Sequence, residues 1–256
     1  MEMLEIYQIP CLQDNYGFLV HDPETGATAT IDTPEVAPIN QALAAKGWRL
    51  THILNTHHHF DHAGGNEELK AQWNCQVVGA AIDAERIPGI DVALADGDTL
   101  TLGSKQARII EVPGHTSGHI AYYFAADEVA FVGDTLFALG CGRLFEGTPE
   151  QMSESLGKIM ALPDATTVYC AHEYTEANAA FAVTMEPANP ALQQRVKEIQ
   201  SLRAAGKPTV PTSIGLERAT NPFVRSDSAE LQAVLNLSGA DEVAVFAETR
   251  RRKDHF

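Results

Sequence analysis

The feature that most constrains this chain is a run of four histidines and one aspartate within residues 57–62. It follows a predicted buried strand, residues 52–55, and precedes residues 63–66, where a helix can begin. Neutral imidazoles and carboxylates are suited to Zn, Fe or Mn. Without a metal, such crowding would bury polar groups to no benefit and bring like charges together on acidification. The run therefore predicts a metal site at the end of a strand.

The spacing within this run separates its members. His57 and His59 lie two residues apart on extended backbone, so their side chains should point the same way and could share one ion. Asp61 and His62 lie beyond the turn and could serve a neighbouring ion. The side chain of His58 should point away from this ion, and we do not expect it to be a ligand.

Three further residues could complete the site. His115 stands in a Pro-Gly turn directly after a predicted strand. Asp134 and His172 each follow the end of a strand, where α/β sheets tend to present functional groups. Each signal is weak alone, because a Gly-Asp-Thr sequence is often only a turn. Together with the histidine run, they predict one site assembled from four separate stretches.

The order of predicted elements indicates two domains. Short β-rich runs alternate with helices over the first two-thirds, and helical spacing dominates after His172. We therefore expect an α/β domain over residues 1–173 and a helical domain over residues 174–256. The predicted strands are residues 4–9, 17–20, 27–31, 52–55, 76–78, 107–112, 119–124, 129–132 and 167–170. The predicted helices are residues 36–46, 150–161, 173–185, 191–205 and 229–237.

Composition limits the partners. With 34 Asp and Glu against 18 Lys and Arg, the net charge of -16 argues against nucleic acid or an anionic membrane as the main partner. No stretch approaches the roughly 20 apolar residues that span a bilayer, and the N-terminus does not resemble a signal peptide. Four widely separated cysteines without a C-x-x-C pair predict a reduced, cytoplasmic protein with buried thiols.

The ligand pattern His57-x-His59-x-Asp61-His62, followed by His115, Asp134 and His172, resembles the metallo-β-lactamase superfamily. The resemblance implies an α/β fold, an αββα sandwich with the site at one edge. It implies two divalent metal ions, with Zn expected and Fe or Mn as alternatives. One ion would be bound by His57, His59 and His115. The second would be bound by Asp61, His62 and His172, with Asp134 bridging the two. Each ion then has three private ligands and one shared carboxylate, which leaves a position for a bridging water.

Four more segments are similar to those of glyoxalase II (hydroxyacylglutathione hydrolase): residues 140–147, 169–175, 221–223 and 250–254. They follow that family's order and extend over nearly the whole chain. The resemblance implies hydrolysis of S-(2-hydroxyacyl)glutathione, chiefly S-D-lactoylglutathione, to D-lactate and glutathione, the second step of methylglyoxal detoxification. The expected partner is this small thioester, and we expect a monomer.

The substrate suggests a basic pocket, because glutathione carries two carboxylates and the protein is acidic. Four consecutive basic residues at 250–253 stand out, although a solvated chain terminus is the alternative. The resemblance implies that Arg250 and Lys253 reach the glycine carboxylate, with Arg143 and Tyr174 nearby. The two arginines between Arg250 and Lys253 are expected to face solvent.

Two residues depart from the family pattern. Its best-known eukaryotic members carry Lys where Arg143 stands and Tyr where Phe145 stands. Arginine keeps the charge and its planar fork suits a carboxylate. Phenylalanine lacks the hydroxyl donor, so we expect one substrate hydrogen bond to be absent and affinity, rather than chemistry, to be affected.

The expected chemistry needs little from the protein beyond the metals. A thioester is reactive enough for a water whose pKa is lowered from near 15.7 to about 7 by a metal ion. Asp61 and Asp134 are the candidate catalytic residues, the first orienting the nucleophile and the second bridging the ions. A glutathione thiolate leaves without a protein acid.

Other functions stay open on sequence grounds. A mononuclear-iron persulfide dioxygenase of the same superfamily would need only His57, His115 and Asp134, and the complete second set of ligands argues against it. A lactonase or lactamase would share the metal site. An RNA-processing nuclease should carry a basic arm, which the composition does not indicate. A catalytically inactive scaffold is disfavoured because every ligand position is filled.

Overall fold

The computed structural model describes residues 2–256, which form two compact units. The first unit runs to Glu111 and also includes Ser117–Gly133. The second consists of Val112–Thr116 and Asp134–Phe256. This division by contacts differs from the domain boundary predicted after residue 173, which stays a prediction.

The first unit contains two β-sheets and three helices. One sheet has its strands in chain order: β1 (Glu5–Cys11), β2 (Asn15–His21), β3 (Thr28–Ile31), β4 (His52–Leu54), β5 (Gln76–Ala80) and β6 (Val92–Leu94). The other sheet contains β7 (Thr99–Leu102), β8 (Lys105–Glu111), β9 (Ile120–Phe124) and β10 (Val129–Gly133), each antiparallel to the next. The helices are α1 (Val36–Lys46), α2 (Phe60–Ala63) and α3 (Asn66–Trp73).

The core of this unit lies on both faces of the first sheet. Ile39 of α1 and Leu69 of α3 are fully buried in one cluster with Ile53 of β4. On the second sheet, Phe131 lies with its ring centroid 5.7 Å from that of Phe18 in β2. The two sheets therefore face each other, and the helices cover the outer face of the first.

The pairing of β3 and β4 positions the histidine run. These strands are parallel, with Ile31 opposite Leu54, so both end at the same edge of the sheet. The loops that follow the carboxyl ends of parallel strands meet at such an edge. Asp32, which follows β3, and residue 55, which follows β4, are therefore neighbours at this edge.

The second unit is mainly helical. Two short antiparallel pairs join β11 (Leu136–Phe137) to β12 (Gly140–Cys141) and β13 (Thr167–Cys170) to β14 (Thr212–Ser213). The helices are α4 (Pro149–Met160), α5 (Thr175–Met185), α6 (Pro190–Ala204), α7 (Ile214–Thr220), α8 (Ala229–Leu235) and α9 (Glu242–Asp254). Phe223 packs between Phe181 of α5 and Phe246 of α9, with ring centroids 5.9 and 6.1 Å away.

All predicted strands and helices have a counterpart, with ends shifted by up to two residues. α1 ends at Gly47 as predicted, because that residue adopts a left-handed φ of 69°. α2, α7, α9, β6, β7, β11, β12 and β14 were not predicted, and for α3 only a possible start at residues 63–66 was. α9 was missed because its basic run suggested a solvated chain terminus. The run continues a helix in which Val245, Phe246 and Thr249 are buried. Among residues 2–256, no helix combines the length and apolar character needed to cross a bilayer.

Candidate active site

The first pair of predicted ligands in the first unit converges at the end of β4. The Nε2 atom of His57 lies 3.0 Å from the Nδ1 atom of His59. His57 is fully buried and His59 is half-buried. Two imidazole nitrogens at this separation can share a proton or face one cation, as expected from their i, i+2 spacing. The pair is therefore suited to be part of a metal site.

The second pair lies on the short helix α2. The Oδ2 atom of Asp61 is 3.6 Å from the Nε2 atom of His62. His62 is 1 % exposed, whereas the Asp61 side chain is 38 % exposed. The histidine is thus fixed by its surroundings, while the carboxylate is partly open to solvent.

His62 is oriented by a buried carboxylate that the sequence interpretation did not include. Asp32, directly after β3, faces the Nδ1 atom of His62 at 2.8 Å. It also accepts hydrogen bonds from the backbone N–H and the hydroxyl of Thr56, each at 2.8 Å. A carboxylate can only accept, so Nδ1 of His62 carries the proton and Nε2 presents its lone pair. An aspartate that ends a predicted strand was the signal available, the same signal that identified Asp134.

His58 is turned to a different partner. Its Nδ1 atom lies 2.8 Å from the Oδ2 atom of Asp83, and its Nε2 atom lies 3.3 Å from Arg86. Arg86 also binds Asp83 directly. A β-carbon added to Gly118 would lie 2.1 Å from Asp83, so the glycine leaves room for this carboxyl group. The pairing accounts for a histidine that is not expected to be a ligand.

The predicted ligands in the second unit meet at one carboxylate oxygen. The Oδ2 atom of Asp134 lies 3.4 Å from Nε2 of His115 and 3.4 Å from Nε2 of His172. All three residues are buried, with exposures of 4–6 %. A buried carboxylate that faces two imidazole nitrogens needs a proton or a cation between them to be stable. This is the composition expected at a metal site.

The loop after β12 packs against His115 and Asp134. The Nδ1 atom of His115 donates to the carbonyl oxygen of Arg143 at 2.9 Å, which leaves Nε2 as the atom available to a ligand site. A β-carbon on Gly142 would lie 2.0 Å from the carbonyl oxygen of Asp134. Only glycine therefore permits the close approach of this loop. Tyr174 stacks on His172, with ring centroids 4.7 Å apart and planes within 5°.

The predicted substrate residues differ in exposure. Arg143 and Phe145 are exposed, and Tyr174 is 37 % exposed. Arg250 is buried: it donates to the carbonyl oxygen of Cys141 at 2.9 Å, binds Asp254 at 2.8 Å and lies over the ring of Phe223. Its guanidinium is thus already engaged within α9 and with the end of β12.

Lys253 and its two arginine neighbours on α9 differ in how far their side chains are exposed to solvent. Lys253 is half-buried and donates to the carbonyl oxygen of Ala177 at 3.1 Å. Burial lowers the pKa of Lys253, and the nearby charges of Arg250 and Arg143 lower it further. The three cations therefore share one neighbourhood that an anion would stabilise. Arg251 faces solvent as expected, but that expectation is wrong for Arg252, which is half-buried and donates to carbonyl oxygens at the end of α8.

The four cysteines are buried free thiols, as predicted. Burial raises the pKa of Cys141 to about 11 and the pKa of Cys170 to about 12. Thiols held in the protonated form are poor nucleophiles. The cysteines are therefore poor candidates for a nucleophile, and the histidines and aspartates are the better candidates for catalytic chemistry.

The donor set fits divalent metal ions. Each unit offers imidazole nitrogens together with a carboxylate. His62 and His115 each present Nε2, because their Nδ1 atoms are engaged by Asp32 and by the carbonyl oxygen of Arg143. Ligands of this kind suit Zn, Fe and Mn rather than Ca or Mg, which prefer all-oxygen sites.

Comparisons with known protein families divide the chain into two matches. Residues 26–172 match the model described as the metallo-beta-lactamase superfamily. Residues 173–256 match the model described as the hydroxyacylglutathione hydrolase C-terminus. The two matches adjoin, and together they extend to the last residue.

Relatives of known name are similar over their full length. A hydroxyacylglutathione hydrolase of Methylococcus capsulatus is 61 % identical over 99 % of both chains. One of Maricaulis maris is 54 % identical over 100 % of both chains. Among solved structures, ETHE1 from Myxococcus xanthus has a TM-score of 0.67 at 24 % identity and covers all of both chains. A B3 metallo-beta-lactamase, BLEG-1, has a TM-score of 0.66 at 22 % identity over 86 % of this chain and all of its own.

Proposed function

The chain belongs to the hydroxyacylglutathione hydrolases of the metallo-beta-lactamase superfamily, and we propose on this basis that it hydrolyses S-(2-hydroxyacyl)glutathione, chiefly S-D-lactoylglutathione. It has the metallo-beta-lactamase fold with a C-terminal helical domain, which confirms the fold expected from sequence. The products are D-lactate and glutathione. The observation that carries the substrate is the full-length similarity, because the metal ligands alone are compatible with any hydrolase of the superfamily.

The proposed metal centre holds two divalent ions. We assign one ion to His57, His59 and His115 and the second to Asp61, His62 and His172. We assign Asp134 the bridging position, because its Oδ2 atom faces Nε2 of His115, a ligand of the first proposed ion, and Nε2 of His172, a ligand of the second. Zn is the proposed metal, with Fe or Mn accepted by the same donors.

The chemistry supplied by such ions is Lewis acidity and a lowered pKa of water, from near 15.7 to about 7. The protein orients the donors. Asp32 fixes the proton of His62 on Nδ1, and the carbonyl of Arg143 does the same for His115. Asp61, whose carboxylate is partly exposed, would orient the attacking water toward the thioester. The glutathione thiolate is a good leaving group near neutral pH, so no protein acid is assigned.

Substrate binding is proposed for the basic cluster of the second unit. Arg250 and the half-buried Lys253 are proposed to contact the glycine carboxylate, with the exposed Arg143 and Tyr174 nearby. Arg250 is held by Cys141 and Asp254, and its guanidinium has further N–H donors for the substrate. Each charge-assisted hydrogen bond formed here contributes roughly 1.5–3 kcal/mol. Residues 1–173 would then be the catalytic domain and residues 174–256 the substrate-binding domain.

The proposed setting is a monomer in the cytoplasm. Four free thiols, all buried, suit a reducing compartment, where glutathione is also present in its thiol form. The net charge of -16 favours solubility and gives no support to binding of nucleic acid.

The test is a spectrophotometric assay with S-D-lactoylglutathione on protein whose metal content has been measured. We expect two ions per chain, hydrolysis of the thioester, loss of activity on metal removal and recovery with Zn. An acyl-coenzyme A thioester is the control, because it has the same reactive bond without glutathione. A fully metallated protein that consumes oxygen with glutathione persulfide, and does not cleave the thioester, would instead support the dioxygenase alternative.

A further inference from the structure

The turn between β1 and β2 carries a buried amide that faces a proposed metal ligand. Asn15, the first residue of β2, is 5 % exposed. Its Nδ2 atom donates to the Oδ2 atom of Asp61 at 3.0 Å and lies 3.4 Å from the carbonyl oxygen of the same residue. Because both contacted atoms are acceptors, the amide must present its nitrogen and not its oxygen.

Asn15 is held in place by the sheet. Its backbone pairs with Cys11 at the end of the β1–β2 ladder, and the turn between them is bound at Leu12 by Glu35. The amide therefore projects from a rigid edge of the first sheet. A group fixed in this way can orient a more mobile partner.

Asp61 is the more exposed partner. Its side chain is 38 % exposed, the most accessible of the carboxylates proposed as ligands, and it stands on a helix of only four residues. A single helical turn is not stable by itself, because nucleation fixes several residues for one hydrogen bond. The carbonyl of the next residue, His62, is held by Thr33 at 2.7 Å and by Asn55 at 2.9 Å. These contacts hold the backbone beside Asp61, whereas the Asn15 amide bonds its carboxylate directly.

We infer that Asn15 is a positioning residue for Asp61: its amide restricts the carboxylate to one rotamer and so sets the affinity of the second metal ion. The inference rests on the proposed function, since it takes Asp61 as a ligand. An ionised carboxylate offers about four lone-pair sites, so one bond from Asn15 leaves capacity for an ion and for a water. Without the amide, the carboxylate loses one bond that holds this rotamer, and more of its ordering must come from the ion when it binds.

Removal of an outer partner of a metal ligand typically weakens metal binding by about 10- to 100-fold. Asn15→Ala should therefore lower the binding affinity of one of the two ions by this factor and leave the affinity of the other at the parent value. The loss should fall on the ion bound by Asp61, His62 and His172. The value of kcat should fall in parallel at limiting Zn and recover at excess Zn, while KM for the thioester stays within about twofold, because Asn15 is not assigned to the substrate.

The experiment is a Zn titration of metal-stripped full-length protein against a chromophoric chelator, with metal stoichiometry and the thermal midpoint of the metal-free protein measured alongside. Asn40→Ala is the matched control, because its amide is also in the first unit but bonds to Gln72 and Trp73, which are not proposed ligands. The control should bind two ions with parent affinity. Asn15→Ser is the second variant, used if Asn15→Ala does not fold, and should show the same selective loss.

A double-mutant cycle separates positioning from a general structural effect. If Asn15 acts through Asp61, then Asn15→Ala should change Zn affinity in the parent but not in the Asp61→Asn background. Equal loss in both backgrounds, or two ions bound by Asn15→Ala with parent affinity, would overturn the inference while the thioesterase function stands. A parent protein that binds no metal and cleaves no thioester would instead remove the proposed function itself.

Discussion

Asp32 gives the sharpest test of how the protein prepares a ligand. Its carboxylate accepts three hydrogen bonds at 2.8 Å, one from His62 Nδ1 and two from Thr56. In Asp32→Asn, an amide nitrogen at the Oδ2 position would have no lone pair for the His62 proton. The amide N–H would then face the N–H at Nδ1 of His62, and two donors cannot bond each other. The alternative is that the His62 proton moves to Nε2, the atom that should bind the ion.

The magnitude follows from these contacts. One charge-assisted hydrogen bond is lost in a buried site, so the free energy of unfolding of the metal-free protein should fall by roughly 1.5–3 kcal/mol. Zn affinity should fall by about 10- to 100-fold at the ion that His62 binds. The bonds from Thr56 can be retained, because Oδ1 still accepts from the backbone N–H and the hydroxyl can rotate to accept.

The assay has three parts: denaturant unfolding of metal-free protein, Zn competition with a chelator, and ¹⁵N chemical shifts of the His62 ring. In the parent the ring should be protonated at Nδ1, and in the variant at Nε2. Asp164→Asn is the control, because Asp164 is 70 % exposed and its pair with Arg218 contributes at most about 1 kcal/mol. Parent Zn affinity with an unchanged His62 tautomer in Asp32→Asn would refute the reasoning.

Three further outcomes are expected. Asp134→Ala should lose most bound metal and activity together, since its Oδ2 atom faces both His115 and His172; full turnover with metal retained would contradict the bridging role. Arg250→Ala should raise KM for glutathione thioesters by roughly 10- to 150-fold, the equivalent of 1.5–3 kcal/mol, with a smaller effect on kcat, whereas the exposed Arg251→Ala should match the parent. Burial and neighbouring cations lower the pKa of Lys253, so as the pH rises its side chain loses its charge before the usual pKa of 10.5 is reached. KM should therefore begin to rise at a pH lower than 10.5, and Lys253→Met should remove this step from the pH profile. The same shift means that the unfolded chain holds the Lys253 proton more tightly, so stability should rise with pH between the lowered pKa and 10.5 in the parent and less so in Lys253→Met.

The sequence by itself determined most of the elements and the set of candidate donors. The end of α1 at Gly47 and the strand before the histidine run depend on residues a few positions apart, and so does the i, i+2 relation of His57 and His59. Turn chemistry, periodicity and ligand type act over such distances, so they can be read without a fold. The relation to glyoxalase II was predicted from short motifs and is confirmed by relatives that match the whole chain.

Only the tertiary structure decided how those donors are held. Asp32 is 30 residues from His62, Asn15 is 46 from Asp61 and Arg250 is 109 from Cys141. No periodic pattern links such positions, because their contact depends on which strands pair and on which faces of the helices are buried. The basic run at residues 250–253 shows the same limit: its sequence gives the charge, but packing of α9 buries Arg250, half-buries Lys253 and leaves Arg251 in solvent. Local chemistry selects the ligands, and long-range packing selects the atom that each one presents.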